Sequence, residues 1–296
     1  MVHHKVCPLC LSENILPHLR CTDQLVSKEV FEIFRCFECG FLFTQDNPER
    51  NSIGQYYDSD DYISHSDTSK GLSNKIYRLA RNFMLQKKRG IIRRVSGLKS
   101  GKILDIGSGT GHFANTMKQA GWDVKGIEIN EKARIYSITC FGLDITGPEM
   151  MNSLEANSFD IITLWHVLEH FHDPFQYASD IFRLLKPGGI CLIALPNCNS
   201  YDALYYKEYW AAYDVPRHLW HFNPLTLRTF SQNSGFLVED MRSLPLDLFY
   251  ISILSEKYMG SKLPFLVGLI KSLPFALSSV FNKEKSSSVF YILRKP

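Results

Sequence analysis

The 296-residue sequence predicts an α/β protein: a doubly wound sheet preceded by a small cysteine-rich unit. From residue 102 onward, short apolar strands alternate with helical segments, which is the order that a doubly wound sheet requires. Four of the eight cysteines form two CxxC pairs near the N-terminus. With 45% hydrophobic and 21% charged residues, the chain can build one sizeable core with smaller additions.

Charge and cysteine usage narrow the class of protein. The formal net charge of +3 is far below that of a protein built to neutralise many phosphates, so nucleic acid is not indicated. The first seven residues lack the apolar core and small-residue cleavage site of a secretory signal. We therefore expect a cytoplasmic protein, in which paired thiols favour metal binding over disulfides.

The two CxxC pairs predict a zinc ribbon over residues 1–48. Each pair places two thiols on a tight turn, and about 25 residues with alternating apolar positions separate the pairs. The predicted ligands of a structural zinc ion are Cys7, Cys10, Cys36 and Cys39. The alternative is two unrelated reduced pairs, whereas a redox role would need CxxC at a helix start after a strand.

Residues 49–98 are predicted to be a linker and an N-terminal helix that covers the cofactor site. Apolar residues recur at helical spacing at Leu72, Ile76, Leu79 and Phe83 within a predicted helix over 70–95. Its polar face carries eight basic residues: Lys75, Arg78, Arg81, Lys87, Lys88, Arg89, Arg93 and Arg94. These basic residues either attract an anionic substrate or lipid surface, or simply form a solvated face of the helix.

The catalytic domain is predicted to span 99–296. Strands are predicted at 102–106, 123–128, 143–146, 159–164 and 190–195, with helices at 112–120, 131–141 and 174–185. Asp173 is the predicted N-cap of the third helix and Gly188 its end. A helix over 224–233 and strands at 235–241 and 288–293 complete the pattern, with an insert of about 45 residues between these last two strands.

A strand that enters a glycine-rich turn provides the cofactor prediction. The spacing is GxGxG with His112 in the third position, whereas a dinucleotide site would require GxGxxG. Asp105, just before the turn, would repel a pyrophosphate but could pair with the ammonium of a methionine moiety. Glu128 ends the next strand, where a carboxylate can accept hydrogen bonds from both ribose hydroxyls. Together these residues favour S-adenosylmethionine.

The motifs at Leu104–Gly111, Phe159–Pro174, Leu184–Gly189 and Pro196–Asn197 resemble those of class I S-adenosylmethionine-dependent methyltransferases over roughly residues 55–243. The resemblance implies a Rossmann-like, seven-stranded sheet, parallel with one antiparallel strand in a final hairpin. It implies a cofactor set of Asp105, Gly107, Ser108, Gly109, Gly111, Glu128, Ile129, Trp165 and His166. Many members have an acidic residue after the third strand to bind adenine, but Ile145-Thr146-Gly147 offers none.

The predicted reaction is methyl transfer to a small-molecule, sugar or lipid-linked acceptor. The aromatic connection 197–222 is interpreted as the acceptor pocket and lid, with His218 and His166 as candidate bases and Arg217 as a possible anion clamp. The alternative is that His218 only fixes the loop through a backbone hydrogen bond. Glu169 and His170 could bind a divalent metal, as such pairs do in some O-methyltransferases of this fold, or could only cap and pack the sheet edge.

The insert 244–287 and two competing functions remain open. Charged residues and prolines interrupt the insert, so we expect no transmembrane span; it could be a hydrophobic lid, an oligomer contact or a peripheral membrane contact. One alternative function is a zinc-ribbon scaffold with an inactive methyltransferase fold. Another is RNA or protein methylation, although Leu164-Trp165-His166-Val167 differs from the NPPY-type turn used for such acceptors.

Overall fold

The computed structural model describes residues 1–57 and 72–296, with side chains for 1–57 and 81–296. Its strands are β1 (Ile15–Thr22), β2 (Val30–Cys36), β3 (Leu42–Thr44), β4 (Lys102–Ile106), β5 (Asp123–Ile127), β6 (Asp144–Thr146), β7 (Phe159–Trp165), β8 (Leu185–Pro196), β9 (Trp220–His221), β10 (Leu237–Ser243) and β11 (Ser288–Arg294). Its helices are α1 (Leu72–Ser96), α2 (His112–Gln119), α3 (Glu131–Phe141), α4 (Pro174–Leu184), α5 (Tyr201–Tyr206), α6 (Pro224–Asn233), α7 (Pro245–Tyr258) and α8 (Pro264–Phe281).

The main sheet has seven strands in the order β10-β11-β8-β7-β4-β5-β6. Its strands β8, β7, β4, β5 and β6 are parallel, whereas β11 runs antiparallel to both β8 and β10. The predicted fold class is therefore confirmed. Because the strand order reverses beside β4, the carboxyl ends of β4 and β5 border the crevice where ligands bind in such sheets.

Most predicted elements, α4 among them, agree with the structure to within a residue or two, whereas β8 begins at Leu185 and not at its predicted start, Ile190. Asp173 caps α4 by accepting from the Gln176 backbone N–H, but the helix ends at Leu184 and not at Gly188. The chain turns into β8 at Leu185, because a residue before a proline disfavours the helical region and Lys186 precedes Pro187. Gly188, at φ 75°, lies within the irregular start of β8.

The core consists of apolar layers on the two faces of the main sheet. Alternation along β4 sends Leu104 and Ile106 to one layer and Ile103 to the other. A third apolar cluster joins the N-terminal unit to the connection 197–222, with Phe31 and Ile33 on one side and Tyr206 and Trp210 on the other.

A second sheet ties the N-terminal unit to the methyltransferase-like part of the chain. Its order is β1-β2-β3-β9, and β9 comes from the connection after β8. Leu42 and Phe43 pair antiparallel with His221 and Trp220. The cysteine-rich unit therefore shares a sheet with the segment that the sequence analysis assigns to the acceptor.

The insert forms a helical hairpin of α7 and α8. Helix α8 is 18 residues long with a mean hydropathy of 1.6, and 11% of its residues are buried, so it is long and apolar enough by composition to cross a membrane. This differs from the expectation of no such segment, because α8 continues through both Lys271 and Pro274. One such helix is weak evidence for a span.

Candidate active site

The glycine-rich turn between β4 and α2 has three glycines with left-handed φ angles, and each has a different environment. A Cβ on Gly107 would lie 2.3 Å from Val167 Cγ2, and one on Gly111 would lie 2.7 Å from Leu143 Cδ1. These two glycines therefore permit close packing beneath the turn. A Cβ on Gly109 would meet nothing within 4 Å, so Gly109 faces the open space where a ligand can approach the backbone.

Asp105 lies beneath this turn, on β4, and is only 2% exposed. It pairs in register with Thr163 on β7, whose Oγ1 donates to Asp105 Oδ1 at 2.7 Å. Burial raises the pKa of the Asp105 carboxyl to about 7, although Thr163 and Lys88 favour its charged form. A cation placed beside Asp105 would supply the partner that this buried carboxylate lacks.

Glu128 follows β5 directly, and its carboxylate bridges to the turn. Oε2 accepts from the Gly109 N–H at 2.7 Å, and Oε1 accepts from the Asn130 N–H at 2.8 Å. The two bonds fix the carboxylate at the crevice while each oxygen keeps a further lone pair. Ile129 is 79% exposed beside it, and the hydroxyl of Ser108 is buried without a hydrogen-bond partner among the described residues.

Lys88 on α1 reaches into the same site, although the sequence analysis placed it on a basic face. Its Nζ lies 4.0 Å from the centroid of the Trp165 ring at the end of β7. Burial lowers the pKa of Lys88, while Asp247 and Asp105 raise it. The helical spacing puts Lys88 in a run of basic residues, so nothing in the sequence distinguishes it from its exposed neighbours.

His166 lies at the mouth of β7 with a left-handed φ of 58°, which is uncommon for a residue other than glycine. Its Nε2 is 3.0 Å from Asp247 Oδ2, and its Nδ1 is 3.8 Å from Glu169 Oε1. Burial alone would lower the pKa of His166, but the two carboxylates raise it to about 9. The two carboxylates therefore favour the charged form of His166. Asp247 comes from α7, so the insert contributes a side chain to the site.

His218 lies deeper, between the connection 197–222 and Glu169. Its Nδ1 is 2.8 Å from the Ala212 carbonyl oxygen, and its Nε2 is 3.9 Å from Glu169 Oε1. The bond to Ala212 is the contact expected if His218 fixes the loop. Burial lowers the pKa of the neighbouring His170 to about 4, with His218 adding to the effect.

Glu169 is 1% exposed, and neither of its carboxylate oxygens has a hydrogen-bond partner among the described residues. Glu169, His170 and His218 each offer one ligand atom, and these atoms lie within 4.8 Å of one another. The nearby His172 points elsewhere, with Nε2 2.9 Å from the Pro48 carbonyl oxygen. The divalent-metal hypothesis stays a prediction, with His218 as its third ligand.

The structure contradicts the prediction that Arg217 is an anion clamp. Its side chain is 1% exposed and pairs with Asp214 Oδ1 at 2.7 Å and Asp23 Oδ1 at 2.9 Å. Nη1 also donates to the Tyr56 carbonyl oxygen at 2.7 Å. With its donors used internally, Arg217 is a buried ion-pair centre that joins the N-terminal unit to the connection 197–222.

The aromatic residues of that connection are mostly core residues and not an open lid. Trp210, Tyr213 and Trp220 are at most 4% exposed, whereas Tyr205 and Tyr209 are 48% and 38% exposed. A small cavity lined by Glu169, His218 and neighbouring apolar side chains has space for about one water molecule. The pattern of aromatic residues in the sequence does not separate a pocket wall from a packed interface.

The four predicted zinc ligands converge at one end of β1 and β2. Cys7 Sγ lies 3.6 Å from Cys39 Sγ, and Cys10 Sγ lies 3.6 Å from Cys36 Sγ. A tetrahedron with zinc–sulfur bonds of about 2.3 Å has sulfur–sulfur edges of about 3.8 Å. All four sulfurs lie within 4.8 Å of one another, so the cluster fits a four-thiolate metal site.

The strand order, the glycine-rich turn, and the carboxylates of Asp105 and Glu128 on neighbouring strands are together typical of the class I methyltransferase fold. A family model described as a methyltransferase domain matches residues 78–240, more than half of the chain. The protein therefore belongs to this methyltransferase-domain family. Phosphoethanolamine N-methyltransferase 2 of Haemonchus contortus, solved with S-adenosyl-L-methionine, shows the same fold with a TM-score of 0.54 and 18% identity, over 86% of this chain and 62% of that one.

Two curated relatives share a name. A ubiquinone biosynthesis O-methyltransferase of Psychrobacter cryohalolentis is 33% identical over 118 residues, which are 37% of this chain and 46% of that protein. A protein of the same name from Pseudomonas aeruginosa is 31% identical over 164 residues, which are 50% of this chain and 70% of that protein. The chain thus spans about half the length of the first relative.

Proposed function

We propose that this protein is an S-adenosylmethionine-dependent methyltransferase that acts on a small-molecule, sugar or lipid-linked acceptor. One observation carries the proposal: Asp105 and Glu128 end neighbouring central strands, with the open backbone of Gly109 between them. A sulfonium nucleoside with an amino-acid tail presents complementary groups to such a site, namely ribose hydroxyls and an ammonium. Family membership and the fold support the same assignment.

The cofactor would lie along the carboxyl edge of β4 and β5. Glu128 accepts the ribose hydroxyls with the lone pairs that Gly109 and Asn130 leave free. Asp105 pairs with the ammonium, and the Lys88 ammonium nearby pairs with the carboxylate of the same tail. The site thus matches both charges of a zwitterion.

We propose that the adenine end of the cofactor meets an apolar side chain after β5 and polar side chains at and just after the end of β6. Exposed Ile129 offers one apolar face. Thr146 Oγ1 is buried without a hydrogen-bond partner among the described residues, and the Glu149 carboxylate folds back over Gly147. Glu149 lies three residues after β6, further along the chain than the position where an adenine-binding acid is usually sought. We assign it to the adenine amino group.

When bound, S-adenosylmethionine supplies an electrophilic methyl group on a positively charged sulfur. The lone pair of the acceptor would take the methyl carbon, the electron pair of the broken carbon–sulfur bond would stay on sulfur, and the proton of the acceptor would pass to the Asp247 carboxylate. We place the acceptor atom beside His166 and Asp247, which pair at the mouth of β7 with Nε2 3.0 Å from Oδ2. The imidazole would orient the acceptor atom, and the Asp247 carboxylate would accept its hydrogen bond. His218 holds the connection 197–222 in place and acts through that segment.

The acceptor class and the metal are the finer parts of the proposal. The name shared by the curated relatives supports a small-molecule acceptor over a macromolecule. The four-cysteine cluster is assigned to a structural zinc ion, because thiolates on two tight turns form a closed tetrahedral site with no open position for catalysis.

Calorimetric titration of S-adenosylmethionine and S-adenosylhomocysteine tests the proposal. We expect wild-type protein to bind both, and Asp105→Ala and Glu128→Ala each to lose at least about tenfold in affinity. The matched control is Glu131→Ala, an exposed carboxylate three residues after Glu128, which should bind normally. Folded wild-type protein that binds neither ligand would reject the enzyme and favour the scaffold alternative.

A further inference from the structure

Helix α8 places apolar side chains outward and polar ones inward, which is the reverse of a helix on a water-exposed protein surface. Every residue of α8 that is exposed is apolar. These residues are Phe265, Leu266, Ile270, Leu273, Pro274, Leu277, Val280 and Phe281. A surface helix normally presents charged and polar residues to solvent. Helix α8 has no polar outer face at all.

The polar and small residues of α8 face the protein instead. A Cβ on Gly268 would lie 2.6 Å from Ile253 Cα, so glycine permits close contact between α8 and α7. Ser272 is fully buried, and Lys271 turns inward with Nζ 2.8 Å from the buried Glu256 Oε1. This arrangement is expected when the outer surroundings are less polar than the protein interface.

Positive charge surrounds the apolar face. Residues 257–285 contain five lysines and one acidic residue, Glu284. Lys257 and Lys262 are exposed before α8, and Lys283 is exposed just after it. Lysines at the ends of an apolar face match the phosphates of an anionic lipid headgroup region.

We infer that α8 docks in the headgroup and acyl boundary of a bilayer that contains anionic lipid. The helix lies along the surface, because its inner side packs against α7 and only its outer side is free to enter the lipid. A second copy of this chain is a poorer occupant, since pairing α8 with α8 in either direction would bring lysine-bearing ends together.

Docking of α8 would also place the site near the lipid. Helix α7 carries α8 on one side and, through Asp247, contacts His166 at the mouth of β7. An acceptor with an apolar tail could then enter from the bilayer between these helices and the sheet edge. This last step rests on the proposed function, whereas the docking surface does not.

Co-sedimentation of the full-length protein with vesicles tests the inference. We expect binding to vesicles of equal parts phosphatidylcholine and phosphatidylglycerol, and weaker binding to phosphatidylcholine alone or at high salt. The triple variant Leu266→Asp/Leu273→Asp/Leu277→Asp should bind about 100-fold more weakly. The matched control Leu11→Asp/Leu225→Asp/Leu237→Asp changes leucines that are at least 57% exposed elsewhere and should bind like the wild type.

Two results would overturn the inference. In one, wild-type protein stays in the supernatant with anionic vesicles; in the other, the α8 triple variant binds as tightly as the wild type. Light scattering on the same samples identifies the rival occupant, because a dimer that dissociates in the triple variant and ignores vesicles means that a second copy covers α8. Calorimetric binding of S-adenosylmethionine, measured in parallel, separates a failure of docking from a failure of the proposed function.

Discussion

The two regions of this protein that we propose for the cofactor and for the acceptor, called here the cofactor edge and the acceptor side, are assembled in different ways. The cofactor edge is a continuous strand–turn–helix–strand from β4 to β5, in which Glu128 and Gly109, 19 residues apart, contact each other. The acceptor side collects residues from distant parts of the chain, as in the Arg217–Asp23 pair, 194 residues apart. Local geometry therefore fixes the cofactor edge, whereas the buried Arg217 ion pairs and the four-cysteine cluster hold the acceptor side together.

The largest expected effect comes from breaking the thiolate cluster. Cys36→Ser removes one of the four proposed zinc ligands, and structural zinc in small modules contributes about 10–16 kcal/mol of apparent binding free energy. Because β3 pairs with β9, we expect loss of zinc, of β1–β3 and of the tertiary signal of Trp220 together. Metal analysis and near-UV circular dichroism measure this. Cys140→Ser, which changes an exposed cysteine on α3, is the control; equal stability and no zinc in both variants would argue against a metal.

Breaking the buried ion pair should have the next largest effect. Arg217→Met leaves Asp23 and Asp214 without their guanidinium in the protein interior and should cost about 3–5 kcal/mol in the free energy of unfolding. Arg242→Met removes a partly exposed pair with Asp240 and should cost at most about 1 kcal/mol. Urea unfolding measures the loss of unfolding free energy in both variants. Similar losses would show that the Arg217 pair stabilises the junction between the two parts of the chain no more than an exposed pair would.

Substitutions of two glycines in the glycine-rich turn distinguish an effect on packing from an effect on cofactor binding. Gly107→Ala places a methyl group 2.3 Å from Val167 Cγ2 at a φ of 73° and should destabilise the protein by about 2–4 kcal/mol. Gly109→Ala, in open space at φ 53°, should cost only about 1–2 kcal/mol but weaken S-adenosylmethionine binding. Thermal unfolding and calorimetry on both variants measure this. Unchanged binding by folded Gly109→Ala would remove the turn from the ligand site.

The smallest effect is a pH dependence centred on Asp105. Its pKa of about 7 means that the carboxyl is protonated below neutral pH in the free protein, whereas a cationic tail binds the ionised form. Affinity for S-adenosylmethionine should thus fall by up to about tenfold per pH unit below 7 and level off above it. Calorimetry in buffers of different ionisation enthalpy should show proton release below pH 7. Asp105→Asn should lose this dependence, and a flat wild-type profile down to pH 5 would contradict the assignment.

The arrangement of Asp105, Gly109 and Glu128 at the carboxyl ends of β4 and β5 could be predicted from the sequence because each of its signals is local. A glycine turn after an apolar strand, and an acid at the end of the next strand, can be located from the hydrophobic periodicity of the sequence alone. Arg217 and Lys88 could not be assigned in this way. Arg217 follows Pro216 in a polar, aromatic segment. Nothing in the sequence around its partner Asp23 indicates that this carboxylate is buried. For such residues the three-dimensional arrangement alone decides between an anion clamp and an internal ion pair.

The Arg217–Asp23 pair also bears on the order in which the molecule is completed during synthesis. At about 5–20 residues per second, the 194 residues between the two take roughly 10–40 s to translate. Throughout that interval Asp23 has no guanidinium, and β3 presents an open edge that β9 will later cover. The segment that carries Asp23 and β3 thus leaves the ribosome long before its partners and is completed only after residue 217. A pause before residue 217 would prolong the time in which that edge can pair with another nascent chain.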